Sequence, residues 1–109
     1  MTALLVITNL PDPESAQALA GALVDAGLAA CVNILAPCRS VYHWEGKQEI
    51  ATEVPLLIKT TAARYPALEE AICARHPYEL PEIIAVPIDQ GLPAYLQWVS
   101  AETTEPTTC

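Results

Sequence analysis
Basic residues are scarce in this 109-residue chain: five Lys and Arg stand against thirteen Asp and Glu, for a formal net charge of −8. A surface of that sign repels phosphate backbones, which argues against general nucleic-acid binding, and it mildly attracts cations. Apolar residues make up 52% of the sequence, yet no run approaches the ~18–20 that a membrane-spanning helix needs. No membrane partner is expected. Met1 to Ile7 lack both a basic stretch and a small-residue cleavage site, so they do not read as a signal peptide. The expected compartment is cytoplasmic.

Chemistry-bearing residues are few. The cysteines, Cys31, Cys38, Cys73 and Cys109, form no Cys-x-x-Cys pair, and neither His43 nor His76 completes a zinc-finger pattern with them. Cys31 and Cys73 sit among apolar residues and are expected to be inert core thiols. Two His and no nucleophile–base spacing give catalysis little to build on, so no enzyme is expected. Acylphosphatase-like chemistry would need a phosphate cradle after the first strand. The loop Asn9-Leu10-Pro11-Asp12-Pro13 has no Arg, Lys or Gly there, and a phosphate would meet Asp12 and Glu14.

What the sequence does have is a pair of long apolar arms, residues 30–44 and 47–60, flanking Glu45-Gly46. Each arm spans roughly 45–50 Å at ~3.3 Å per residue, whereas a compact domain of this length is only ~26 Å across. A hairpin that outreaches its domain leans on something else, most simply another copy of the chain. Pro37 and Pro55 cannot donate ladder hydrogen bonds, so each should mark a bend, a bulge or an edge.

Around the hairpin, residues 3–8 read as a branched, buried strand. Asp12 and Pro13 open a helix whose apolar face carries Ala16, Leu19, Ala20, Leu23 and Val24, and Gly27 stops it. A second helix is expected over residues 65–75, ended by Pro77. A short buried strand covers residues 83–86, and a last helix residues 92–101. The order is strand, helix, strand, strand, helix, strand: an α+β, ferredoxin-like βαββαβ sandwich with a short C-terminal helix. Residues 1–101 form a single domain, and residues 102–109 read as a frayed tail.

Three segments carry a resemblance. They are Leu28 to Asn33, then Val41 to Lys47 with Leu57 to Thr61, and finally His76 to Ile83. In this order and spacing they resemble the CutA family of divalent-cation tolerance proteins, and the resemblance runs from about Leu4 to Val99. It implies a homotrimer, made by extending each hairpin into a neighbour's sheet, and an association with copper and other divalent metals. It also implies three copper-ligand positions. The sequence departs there: Thr8 stands for a Cys, and Arg75-His76 for two adjacent His. Thr8 is a poor ligand and Arg75, permanently protonated, is none. His76 is the one candidate metal ligand left, so no cofactor is required and copper or another divalent cation is expected to bind weakly.

Several residues keep two readings. His76 is either a cationic cap on the helix dipole or a ligand. Tyr78, Glu79 and Glu82 form either a solvated acidic loop or the edge of a ligand cleft between subunits. Tyr42 and Trp44 share one face of the hairpin, as trimer-interface anchors or a stacking wall. Lys59 meets Glu82 or Glu53, or else an anionic ligand, as part of the same cleft. The functional expectation is non-catalytic divalent-metal or small-ligand binding in metal tolerance. The alternative is a PII-like regulatory protein sensing a small molecule.

Overall fold
The computed structural model describes residues 1–104. Eight elements follow one another: β1 (Ala3–Leu10), α1 (Pro13–Asp25), β2 (Cys31–Ile34), β3 (Cys38–Trp44), β4 (Lys47–Thr61), α2 (Tyr65–Arg75), β5 (Ile83–Pro87) and α3 (Pro93–Glu102). The sheet runs β2-β4-β1-β5, with β3 continuing along β4, and every pairing is antiparallel. Since β2 and β3 are two halves of one hairpin arm, this is the ferredoxin-like order of fourth, first, third and second strand.

Local chemistry sets the boundaries. Asp12 caps α1 by accepting the Ser15 N–H at 2.7 Å, and that bond holds its carboxyl below the usual carboxylate range. At the other end Gly27 takes a φ of +69°. Its N–H donates to the Val24 carbonyl while the Leu28 N–H reaches back to Leu23, which closes a Schellman motif. Pro77 pushes His76 out of helical geometry, to a ψ of 134°, and so ends α2.

Strand alternation gives the sheet two different faces. Val6, Leu10, Val54, Leu56 and Ile58 point toward α1 and α2 and meet Ala16, Leu19, Leu23, Leu68 and Ile72 in the buried core. The other face presents Leu5, Ile7 and Leu57, with Ile84 and Val86 of β5 as register neighbours of the β1 pair. At the Thr61 end α3 lies against β1 and β4, with Tyr95 beside Cys31. Burial and that thiol push the Tyr95 phenol up.

The hairpin turn has Glu45 at φ 52° and Gly46 at φ 80°, the two positive values of a type I′ turn. β4 has fifteen residues, about 50 Å of strand, and it sets the 49 Å long axis of the molecule. The radius of gyration, 14.7 Å, exceeds the ~13 Å of a compact chain this long. Pro37 lies in the break between β2 and β3. Pro55, by contrast, sits within continuous β4. Its carbonyl accepts from Leu35, and a strand residue's N–H points to the same side as its C=O, so the missing donor faces the break at residues 35–37.

Three expectations need correction. β5 is an exposed edge strand, with Ile84 at 51% and Val86 at 46% exposure; four short apolar residues do not tell a covered strand from an uncovered one. Cys73 is exposed on α2 and Cys31 only half-buried. Residues 102 and 103, expected to fray, are packed on the domain: α3 runs through Glu102, and Thr103 is buried with its hydroxyl donating to the Val99 carbonyl at 2.7 Å. Residues 105–109 of the expected tail, including Cys109, lie outside the described residues. No helix among the described residues is long and apolar enough to cross a membrane.

Candidate ligand cleft
The segment after α2 is pinned by one imidazole. His76 Nε2 lies 2.7 Å from the Asn9 carbonyl, and the Tyr78 N–H donates to His76 Nδ1 at 3.1 Å. The carbonyl demands a donor and the amide demands a lone pair, which fixes the neutral Nε2–H tautomer. The Tyr78 ring packs against the imidazole at 4.7 Å between centroids. His76 is thus a neutral strut between α2 and β1, not a cationic helix cap, and neither nitrogen is free. Thr8 is fully buried, and its hydroxyl finds no hydrogen-bond partner among the described residues. Arg75 is exposed. These three positions do not fit a copper ion as they stand.

Fixing Tyr78 creates a cleft. The hairpin face bearing Ser40, Tyr42 and Trp44 rises on one side, and Pro77 to Leu80 with Glu82 form the other. Between them is an open cavity of about 680 Å³ that also touches Asn9, His43 and Glu53. Glu53 is 8% exposed and lies beside the Tyr78 hydroxyl. Burial, with Glu53 adding to it, pushes the Tyr78 phenol up to about 12. Glu82 Oε1 accepts from Asn9 Nδ2 at 3.3 Å.

Of the expected cleft residues, Trp44, Tyr78, Glu79 and Glu82 do come together, with Tyr42 beside them. Lys59 does not. Its ammonium donates to Asn33 Oδ1 across the β2–β4 pairing, while Glu53 and Glu82, its expected partners, lie beside Tyr78 and Asn9. The sequence reading missed Glu53 as the cleft's buried carboxylate. Counting outward from the two-residue turn pairs Cys38 with Glu53, on the face of Tyr42 and Trp44, and that register was the signal. Among the described residues no group of three or more His, Cys, Asp and Glu is placed to hold a metal ion.

The CutA1 divalent ion tolerance protein family matches residues 4–102. This chain belongs to that family. The divalent-cation tolerance protein CutA of Thermus thermophilus is 43% identical over 91% of the chain and 96% of its own length. Mouse protein CutA is 45% identical over 85% of the chain, which spans about half (52%) of the mouse protein. Among solved CutA structures, the periplasmic divalent cation tolerance protein of Archaeoglobus fulgidus superposes with a TM-score of 0.91 at 35% identity, covering 94% of this chain and 99% of that one. The α+β fold is therefore the CutA1 fold, long hairpin included.

Proposed function
We propose that this chain acts without catalysis as a homotrimer whose cleft, between the hairpin tip and the 77–82 loop, takes a divalent cation or a small ligand. The carrying observation is the hairpin. Val41 and Ile50 are register partners on one face and are 61% and 62% exposed in the lone protomer. Apolar surface of that kind is stabilised by burial against a second copy; the number three follows the family resemblance. Light scattering tests it: the native chain should weigh three times 11.7 kDa, and Trp44→Ala should shift it toward smaller species. A persistent folded monomer would end the proposal.

For the metal, Glu79 and Glu82 offer hard, exposed donors, and weak binding is the expectation. Copper at His76 would displace one of that ring's two hydrogen bonds. Calorimetric titration of the native chain and of His76→Ala reads this directly: a fall in copper affinity in the variant supports His76, and identical heats remove it. The cavity volume, within the ~300–1,000 Å³ of small-molecule sites, favours the PII-like alternative. No Lys or Arg lines the cleft, which weighs against a nucleotide. Thermal shifts with copper, zinc, ATP and cyclic nucleotides separate the two. The cytoplasmic placement rests on the sequence reading alone, and cell fractionation checks it.

A further inference from the structure
The cleft has an unusual balance of chemistry. Three carboxylates, Glu53, Glu79 and Glu82, share it with three aromatic side chains, Tyr42, Trp44 and Tyr78, and no Lys or Arg contributes to its wall. The polar groups set against Glu53 and Glu82 are a phenol and an amide. Neutral donors orient a carboxylate without cancelling its charge. Lys47, the register partner of Trp44 at the hairpin tip, and Arg39, next to Ser40, both lie outside the lining.

Which ligand suits such a wall follows from geometry. A divalent metal needs several oxygen or nitrogen donors at about 2.0–2.6 Å from one point, and the described residues offer no cluster of that kind. A phosphorylated ligand would face three carboxylates with no guanidinium or ammonium to meet it. An organic cation has the opposite requirements. Its charge is spread over a larger volume, it is attracted to aromatic faces within about 6 Å, and dispersed carboxylates stabilise it without converging. Trp and Tyr supply the ring faces here, and a cavity of about 680 Å³ has room for such a molecule.

We propose that the cleft of Tyr42, Trp44, Glu53, Tyr78, Glu79 and Glu82 binds a small organic cation of the alkylammonium class. This deepens, and rests on, the reading of the cleft as a ligand site.

Tetramethylammonium and its neutral, similarly sized counterpart tert-butanol make the test, titrated into the full assembled chain. The indole N–H signals of Trp44 and Trp98 are followed by NMR and told apart by Trp98→Phe, which leaves the hairpin tip intact. The expected result is saturable movement of the Trp44 signal with tetramethylammonium and none with tert-butanol, with Trp98 unmoved. Glu79→Gln combined with Glu82→Gln, both at exposed positions outside the core, should weaken binding about tenfold. An unmoved Trp44 signal, equal responses to the two probes, or an unchanged affinity in the double variant overturns the proposal. Zinc and ATP run in parallel keep two failures apart. If either moves Trp44 while tetramethylammonium does not, the cleft is a ligand site of another class; if no probe moves it, the ligand-site reading itself fails.

Discussion

Single side chains decide how this site is built, and His76 is the first of them. The ring bridges β1 and the loop beyond α2 through two hydrogen bonds to main chain. His76→Ala leaves the Asn9 carbonyl and the Tyr78 amide without those partners, and should destabilise the fold by about 1–3 kcal/mol. Urea unfolding of the two proteins measures the difference. Two tyrosines make a second, sharper prediction. Tyr65 and Tyr78 are each pushed from 10.0 up to about 12, Tyr65 mainly by its hydrogen bond to Glu69 and Tyr78 mainly by burial. The folded chain holds those protons where the unfolded chain loses them. Their contribution to stability is therefore complete below pH 10 and is lost as the pH rises toward about 12. Urea midpoints across that window should fall, and Glu69→Gln should flatten the fall more than Glu53→Gln does, because replacing the charged acceptor by a neutral one weakens Tyr65's main cause and leaves Tyr78's, burial, in place. The sequence showed the residue types of this site but not their tautomers or partners. Lys59 reads as an ion-pair cation when only charges are counted, and it meets Asn33 because register, not charge, brings those two together.

Elements were the most legible level, for reasons that can be named. Asp12, Pro13 and Gly27 bracket α1 with capping chemistry that tertiary packing has no cause to override, and Pro77 ends α2 in the same way. β5 was misread because burial of a short apolar strand depends on what covers it, which a local pattern does not encode. The turn of the long hairpin carries the most direct prediction at this scale. Glu45 sits at φ 52° ahead of Gly46, in a type I′ position that favours Asn. Glu45→Asn should stabilise the chain by about 0.5 kcal/mol, seen as a raised urea midpoint. Gly27→Ala should act in the opposite sense. The added methyl would meet only ordinary contacts, 3.6 Å from the Thr104 carbonyl and 3.9 Å from that of Glu102. The cost is therefore the left-handed backbone itself, about 1–2 kcal/mol.

For the whole molecule, the open sheet face and the hairpin tip pose one problem. Helices α1 and α2 cover one side of the sheet; the other, which α3 meets only at its edge through Tyr95 beside Cys31, leaves Leu5, Ile7 and Leu57 half-buried and Ile84 and Val86 about half exposed. Beyond the domain, β3 and the first half of β4 hold Val41 and Ile50 in water. The overlong arms were visible in the sequence as a mismatch between strand length and domain size. The uncovered sheet face was not, since it depends on which side both helices choose. If copies of the chain cover these surfaces, a charge placed on either should weaken assembly without unfolding the protomer, whose core lies on the helix side. Ile84→Lys and Ile50→Lys are the variants of choice. Both sites are more than half exposed in the protomer, at 51% and 62%, so neither charge is buried when the chain is alone. Sedimentation should show each variant shifted toward 11.7 kDa at concentrations where the native chain stays associated, with far-UV circular dichroism unchanged. If Ile50→Lys dissociates the assembly and Ile84→Lys does not, the hairpin alone holds the copies together and the open sheet face stays in solvent; unchanged mass in both would leave the overlong arms without a partner.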